Sequence, residues 1–329
     1  MDKNTISRLL AQVPQDKIGV AGDFCIDAYW EIRPELGEES IETGLKTVPV
    51  VNARYSPGGA GNIISNLRGI GLNRIPCFGV CGSDPFGLWM RRELIGKLPE
   101  YDEELVEVNR KDYHTPVYCK PLADGVEQSR IDLGNTPLSD EEADKVLAGL
   151  EKFMPQLKVL IINEQLANGL HNARFRSGFA ELVKRFSNRM HLVFDGRDYL
   201  DAYPGVTLKI NASAASQQAF GRTDAPPVES GEELLKRSGH ELVITDGKNG
   251  CYVFEHGKTT YIPAISWDGP VDTVGAGDSF TAGFSYALAV GESLVTAADF
   301  GNCCSGITIR KLNQTGAPSP EELFSIVKS

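Results

Sequence analysis

Short apolar runs alternate with longer amphipathic stretches along most of the chain. The apolar runs predict β-strands at residues 17–23, 75–81, 157–163, 191–195, 207–211 and 241–245. Several are almost entirely apolar, as is typical of strands that are covered on both faces. The amphipathic stretches predict helices at residues 61–71, 85–98, 139–153, 170–186 and 231–238. This alternation predicts an α/β fold in which helices flank a mostly parallel sheet.

Two segments, residues 29–56 and 113–133, break this rhythm. Both are rich in Thr, Val and Tyr and alternate apolar with polar positions in the manner of strands. We expect them to form a small separate lid sheet, although surface hairpins would give the same pattern. The main domain would then comprise residues 1–28, 57–112 and 134–329.

The most informative motif reads Asp-Thr-Val-Gly-Ala-Gly-Asp at residues 272–278. It precedes apolar residues at helical spacing, so it is a loop of small residues that leads into a helix. Glycines permit close approach to a ligand, and a helix N-terminus offers N–H groups to an anion. Asp278 could then accept a proton from a hydroxyl that attacks the anion. Alone, the motif is explained equally well by an ordinary N-capping Asp.

Two further motifs of small residues follow predicted strands. Residues 22–27 read Gly-Asp-Phe-Cys-Ile-Asp and place Asp27 near the edge where open α/β sheets bind ligands. Residues 56–62 read Ser-Pro-Gly-Gly-Ala-Gly-Asn and open a helix, with an Asn62 amide that can donate and accept. Each is also explained by a turn or a helix cap. The Gly-x-Gly-x-x-Gly of dinucleotide-dependent dehydrogenases does not follow the first strand.

Composition narrows the range of functions. The chain has 329 residues, of which 41% are hydrophobic, so it can bury a large core. Its formal net charge of −11 argues against nucleic acid or an anionic membrane as a partner. The seven cysteines form no Cys-x-x-Cys pair, which favours reduced thiols in the cytoplasm, and the five scattered histidines indicate no dedicated metal site. We find neither a signal peptide nor an apolar run that could span a bilayer.

Taken together, the motifs resemble those of the PfkB (ribokinase-like) carbohydrate kinases. Four stretches carry the resemblance in the family's order: residues 22–27, 58–62, 245–250 and 272–278. Three others look most like the heptose-7-phosphate kinase domain of bacterial ADP-heptose synthesis enzymes: residues 22–30, 128–132 and 301–312. The resemblance implies a three-layer α/β/α sandwich with a mostly parallel central sheet and a small β-sheet lid.

The resemblance also implies roles for individual residues. Asp278 would be the general base, and the transferring phosphoryl group would lie against Gly275, Ala276 and Gly277. The acceptor sugar would be held by Asp27, Gly58, Gly59 and Asn62. The nucleotide side would be formed by Asn211, Thr245, Gly247, Gly250, Asp272, Thr273 and Asn302, the last beside the adenine.

The implied cofactors are ATP and Mg²⁺, with the metal held mainly by phosphate oxygens and water. A monovalent cation, usually K⁺, is frequent near the position of Asp272 in this family. The partner would be a small sugar or sugar phosphate. Lids of this family often pair, so the resemblance also implies a homodimer through the lid.

The chain departs from the family at two places. Residues 211–214 read Asn-Ala-Ser-Ala, so Ala214 stands where many members have an acid linked to Mg²⁺. Gln165 and Asn168 stand where heptose kinases have Asp and Lys, which weakens the case for a phosphorylated acceptor. The remaining candidates for acceptor binding are Lys120, Arg130 and Glu164, and each is also explained as a solvated surface charge.

Three hypotheses remain. The first is an ATP-dependent sugar kinase that acts on a heptose 7-phosphate. The second is the same chemistry on another sugar or a nucleoside, such as fructose or ribose. The third is a catalytically inactive homologue that binds sugar or nucleotide. The intact Asp278 favours the first two, because an inactive protein needs no base.

Overall fold

The structure is a computed structural model that describes residues 1–94, 105–312, 314 and 316–326. Its strands, numbered along the chain, are β1 (Ile18–Gly22), β2 (Phe24–Ile32), β3 (Val50–Gly59), β4 (Cys77–Gly82), β5 (Leu105–Val108), β6 (Val117–Ala123), β7 (Val126–Glu127), β8 (Ile131–Leu133), β9 (Val159–Asn163), β10 (His191–Asp195), β11 (Thr207–Asn211), β12 (Leu242–Thr245), β13 (Cys251–Glu255) and β14 (Lys258–Ile262). Its α-helices are α1 (Lys3–Leu10), α2 (Ala60–Ile70), α3 (Pro85–Leu94), α4 (Asp140–Phe153), α5 (Ala173–Phe186), α6 (Ala212–Phe220), α7 (Pro227–Ser238), α8 (Ala276–Ala289), α9 (Leu294–Thr308) and α10 (Pro320–Ile326).

Nine strands form the large sheet, in the order β14-β13-β12-β11-β10-β9-β1-β4-β5. All neighbours from β12 to β5 are parallel, and β13 and β14 add an antiparallel edge. The central strand β9 is buried along its whole length, with Val159 and Ile161 in one hydrophobic core and Leu160 and Ile162 in the other. The nearly continuous apolar runs are thus explained by burial on both faces.

Helices cover both faces of this sheet. The core on one face includes residues of α1, α2, α3, α8, α9 and α10. The core on the other face includes residues of α4, α5, α6 and α7. The predicted three-layer α/β/α sandwich with a mostly parallel sheet is therefore confirmed.

The five remaining strands form a smaller separate sheet, in the order β3-β2-β6-β7 with β8 paired to β6. This confirms the small sheet expected from sequence and excludes isolated hairpins. The strand β2 begins immediately after β1, and β3 runs directly into α2. Asp27 therefore lies within β2, paired with Ser56 of β3, and not in a turn that follows the first strand.

The six predicted strands are all present, and the predicted helices are present with shifted ends. Helix α5 begins at Ala173 behind an Asn172 cap, and α7 begins earlier than predicted, at Pro227. The last four residues of the helix predicted at 85–98 lie outside the described residues. The seven cysteines are buried free thiols. Among the residues that the structure describes, no helix is long and apolar enough to cross a membrane.

Truncation of a central core residue should show how strongly the large sheet depends on burial. Leu160 in β9 is completely buried. We expect Leu160→Ala to lower the free energy of unfolding by about 2–5 kcal/mol, because it removes apolar contacts and leaves a cavity. Urea denaturation would measure the change. The control Leu36→Ala alters a side chain that is 65% exposed and should change stability by less than about 0.5 kcal/mol. Equal losses in both variants would contradict this assignment of the core.

Candidate active site

The carboxyl ends of parallel strands bring several polar residues to one edge of the large sheet. Strands β9, β10, β11 and β12 end at Asn163, Asp195, Asn211 and Thr245. In open α/β folds this edge is where ligands bind. Helix α8 packs beside it, against β9 and β10, and brings the motif at residues 272–278 to the same edge.

The turn that starts α8 depends on a glycine. Gly275 is the N-cap with φ of 76°, in the left-handed region that glycine adopts without a steric penalty. No side chain caps the helix at this residue. The first N–H groups of a helix have no intrahelical acceptors. The Ala276 N–H donates to the Thr273 carbonyl at 3.2 Å, which leaves the N–H groups of Gly277 and Asp278 as those that this turn can present to an anion.

Asp278 lies in the first turn of α8 and is held by helix α2. The Asn62 side-chain amide donates to Asp278 Oδ2 at 2.6 Å. The Asn62 amide is oriented in turn by Asn66, whose Nδ2 donates to the Asn62 side-chain oxygen at 3.2 Å and to its backbone carbonyl at 2.9 Å. Helix α2 therefore fixes the carboxylate through a buried pair of asparagines.

The environment of Asp278 raises its pKa to about 7. Burial is the main cause, because it disfavours the charged carboxylate, and the negative charge of Asp195 adds to it. The Asn62 hydrogen bond and the positive charge of Lys209 oppose the rise, and Asp27 adds slightly to it. A carboxylate with a pKa near neutrality is well suited to accept a proton in a reaction at neutral pH.

Asp27, Gly58 and Gly59 meet at the junction between the two sheets. A Cβ on Gly58 would lie 2.9 Å from Asp27 Oδ2, so only glycine allows this packing. Gly59 has φ of 56°, and a Cβ there would lie 2.4 Å from the Asp23 carbonyl oxygen. The structure thus places Asp27 beside the two glycines that precede α2, the helix that carries Asn62.

Two buried polar atoms beside this group have no hydrogen-bond partner in the described chain: Ser56 Oγ and Asn163 Oδ1. Ser56 pairs with Asp27 across the small sheet, and Asn163 Oδ1 lies 3.3 Å from where a Gly59 Cβ would be. Buried polar atoms are rarely left unpaired, so both are suited to a polar ligand. Neither residue was singled out from sequence, although Ser56 precedes the glycine motif directly.

The basic candidates are paired with carboxylates. Lys120 Nζ lies 2.9 Å from Asp27 Oδ1, and it also donates to the Tyr29 hydroxyl at 3.3 Å. Arg130 donates to both oxygens of Asp132, at 2.6 and 2.8 Å. Lys120 therefore joins the Asp27 group, whereas Arg130 lies on the exposed part of the small sheet.

Residues 164–170 form a loop that is held mostly by structural hydrogen bonds. Glu164 Oε2 accepts the N–H groups of Arg197 and Asp198, at 2.6 and 2.9 Å. Gln165 donates its backbone N–H to Asp23 at 2.8 Å, and the Asn168 amide donates to Asn135. Glu164 thus braces a neighbouring loop, and its bonded oxygen is already occupied.

The candidates for the nucleotide side lie along β11, β12 and the segments beside them. Asn211 and Thr245 are register partners at the ends of adjacent parallel strands. Gly247 and Gly250 have positive φ of 51° and 101° in the turn that follows β12. The Asp272 side chain accepts the Val274 N–H at 3.0 Å and so fixes the backbone just before Gly275. Thr273, between Asp272 and Val274, is exposed.

Asn302 and Ala214 lie in helices α9 and α6. The amide of Asn302 is buried in α9 and donates to the Pro263 carbonyl at 2.7 Å. Ala214 lies in the first turn of α6, where its N–H is capped by Asn211 at 2.9 Å. Across the described residues, no three His, Cys, Asp or Glu side chains form a group that could hold a metal ion.

A buried ion pair beneath the 275–278 turn was not predicted. Lys209 Nζ lies 3.0 Å from Asp195 Oδ1, and both side chains are largely buried. The signal in the sequence is a lysine between Leu208 and Ile210, in the buried middle of β11, where a charge requires a partner.

Comparison with known proteins agrees with this geometry. Residues 168–322 match the model of the pfkB family of carbohydrate kinases. Over these residues the chain is similar to the pfkB carbohydrate kinases. Of the motifs named above, those at residues 245–250 and 272–278 lie within the matched segment, and those at residues 22–27 and 58–62 precede it.

Individual relatives extend the similarity over most of the chain. It is 25% identical to the bifunctional protein HldE of Photobacterium profundum and 28% identical to that of Geobacter metallireducens, over 92% and 98% of its length. It spans only 62% and 65% of those two proteins. Its fold is similar to that of Arabidopsis thaliana ribokinase complexed with ribose and ATP, with a TM-score of 0.69, 18% identity and coverage of 94% of this chain and 98% of that one.

The packing at Gly277 gives a direct test of the turn. A Cβ at this residue would lie 3.1 Å from Lys209 Nζ, so the larger Gly277→Val side chain must displace the ammonium group or the turn. We expect turnover to fall on the order of 10²-fold, the loss seen when one oriented donor is removed from an anion site. Steady-state phosphoryl-transfer kinetics would measure it. The control Gly149→Ala, in α4 with its nearest side-chain atom at 3.5 Å, should leave kcat unchanged. Unchanged kcat in Gly277→Val would remove the turn from the site.

Proposed function

We propose that this chain is an ATP-dependent sugar kinase in which Asp278 is the general base. The observation that carries the proposal is the Asp278 carboxylate, fixed by Asn62 at the N-terminus of α8, with a pKa raised to about 7. Asp278 accepts the proton of the acceptor hydroxyl, the oxygen forms a bond to the γ-phosphorus of ATP, and ADP leaves. The bond from the γ-phosphorus to the β,γ-bridging oxygen breaks in the same step.

The turn at residues 275–278 supports the anionic side of this reaction. Its N–H groups and the positive end of α8 favour negative charge at the transferring phosphoryl group. Asp278 lies in the same turn, so the base and the anion-binding groups move as one unit. This shared location keeps the acceptor oxygen close to the phosphorus that it attacks.

We assign ATP to the side of the site formed by β11, β12 and α9. The proposed contacts are Asn211, Thr245, Gly247, Gly250, Asp272, Thr273 and Asn302. A divalent ion would neutralise the phosphate charge. The described chain offers it no carboxylate cluster, which fits Mg²⁺ held mainly by phosphate oxygens and water. The resemblance to the pfkB kinases adds to this proposal a monovalent cation, usually K⁺, near Asp272.

For the acceptor, the relatives favour a heptose 7-phosphate, but the local charges favour a neutral sugar as a second candidate. Lys120 and Arg130 are already paired with carboxylates. Ser56 Oγ and Asn163 Oδ1 are buried and without a partner beside the Asp27 group, so they still offer atoms to the hydroxyl groups of a sugar. A cavity of about 210 Å³ lies between the small sheet and the 166–170 loop, and among the described residues its lining includes neither Lys nor Arg.

A substrate panel tests both the reaction and the acceptor. ADP release with Mg·ATP would be measured on D-glycero-D-manno-heptose 7-phosphate, sedoheptulose 7-phosphate, fructose, ribose and adenosine. We expect turnover on at least one sugar, reduced about 10²–10⁴-fold in Asp278→Asn because that variant lacks the base. The better substrate among phosphorylated and neutral sugars decides the acceptor class. ATP binding without turnover on any acceptor would favour a catalytically inactive binding protein.

We further propose that the chain forms a homodimer through the small sheet. The outer part of this sheet and the segment before it expose apolar side chains: Ile41, Leu45, Val48, Val50 and Val51. The strand β3 also lies at the edge of the sheet and is exposed over residues 50–55. A second copy of the chain would cover both the apolar surface and the free strand edge.

A charge placed on this surface should separate the two copies. Val51 is 51% exposed, and we expect Val51→Asp to shift the sedimentation coefficient from dimer to monomer, because a buried carboxylate at the interface would be desolvated. Val228→Asp, on the outer side of α7, is the matched control and should leave the assembly unchanged. A wild-type chain that sediments as a monomer at micromolar concentration would refute the dimer.

A further inference from the structure

The buried ion pair of Asp195 and Lys209 joins two neighbouring strands. The two residues are register partners in the parallel strands β10 and β11. Lys209 Nζ donates to both Asp195 oxygens, at 3.0 and 3.1 Å. Lys209 is only 6% exposed, so its ammonium group has lost most of its water and depends on the carboxylate.

This ion pair also contacts the first turn of α8. The Thr281 hydroxyl donates to Asp195 Oδ2 at 2.6 Å, and Thr281 lies one turn after Gly277. A Gly277 Cβ would lie 3.1 Å from Lys209 Nζ, which is its one close neighbour among the described residues outside the adjacent residues and the backbone of α8 itself. The pair therefore links β10 and β11 to the turn that carries Asp278.

Charged and polar groups from four elements face Asp278. Asp195 of β10 and Asp27 of β2 are negative, Lys209 of β11 is positive, and Asn62 of α2 donates a hydrogen bond. The Cys25 thiol of β2 also lies near, but burial raises the pKa of this thiol well above its ordinary value, so it stays neutral. Asp195 and Lys209 thus act on Asp278 with opposite signs.

We propose that Asp195 and Lys209 are positioning residues for phosphoryl transfer: the ion pair anchors the first turn of α8 from beneath and sets the charge environment of the base. This inference rests on the proposed kinase function. The carboxylate of Asp195 opposes the anionic form of Asp278, and the ammonium of Lys209 supports it. Neither residue contacts the reacting atoms in this role.

The two single substitutions should move the pH dependence in opposite directions. Asp278 acts as a base only when deprotonated, so kcat/KM for the acceptor rises as pH rises through its pKa. The part of the profile over which kcat/KM rises is called the acidic limb. In Asp195→Asn, a negative neighbour is lost, the Asp278 pKa falls, and the acidic limb moves to lower pH. In Lys209→Met, a positive neighbour is lost and the limb moves to higher pH. We expect shifts of about one pH unit in each direction.

The double variant Asp195→Asn/Lys209→Met keeps the proposal testable if one of the single variants fails to fold. It leaves no unpaired buried charge, so it should remain folded even where a single variant does not. Its acidic limb should lie between those of the two single variants. Lys209→Arg, which keeps the positive charge, should retain a limb close to that of the wild type. The control Arg110→Gln breaks an ion pair with Glu142 on the opposite side of the large sheet and should not move the limb.

A second readout does not depend on turnover. Titration of the Asp278 carboxyl carbon by NMR in the ligand-free protein should show the same opposite shifts in Asp195→Asn and Lys209→Met. Opposite shifts in the titration without any wild-type turnover would support the ion pair and reject the kinase function. Turnover with limbs and titrations that shift in the same direction, or not at all, would retain the kinase and overturn the role of the ion pair.

Discussion

The hydrogen bond between Asn62 and Asp278 is the interaction on which the site depends. It joins α2, which follows directly from the small sheet, to the first turn of α8. The Asn66 amide orients Asn62, so the donor that faces Asp278 is fixed by a second buried residue. Since the strand β3 runs directly into α2, the small sheet, Asn62 and Asp278 form one continuous connection. In the proposed kinase, this connection joins the acceptor side of the site to the base.

Glycine at three positions makes this arrangement sterically possible. Gly275 supplies the left-handed turn before α8, and Gly58 leaves room for Asp27. Gly277 leaves room for the Lys209 ammonium beneath the turn. The motif at residues 272–278 is thus constrained from two sides: its outer face is available to an anion, while its inner face packs against a buried cation. Small residues in this motif therefore satisfy two requirements: room for an anion on one side and room for the Lys209 ammonium on the other.

The sequence predicted the elements and residues whose signals are local. The strands of the large sheet were recognisable because they are apolar throughout, and Asp278 and Asn62 because each follows a glycine motif. Helix α9 was missed because it is buried on nearly all sides, so its apolar residues have no amphipathic period. The pairing of Asp195 with Lys209 was missed because it depends on the register of two strands, which neither segment encodes by itself.

The charge distribution around the acceptor shows why a family resemblance leaves the substrate open. Asp278, its turn and Asn62 belong to the motifs through which the chain resembles the pfkB kinases, whereas Ala214 departs from them. The residues that would hold an acceptor come from the small sheet and the 164–170 loop, where Asn168 binds Asn135 and Lys120 binds Asp27. A cation that is already paired stabilises a phosphate less than a free one, because binding must first break or share the existing ion pair. In the proposed kinase, the chemistry therefore follows from α8, and the choice of acceptor from the small sheet and the 164–170 loop.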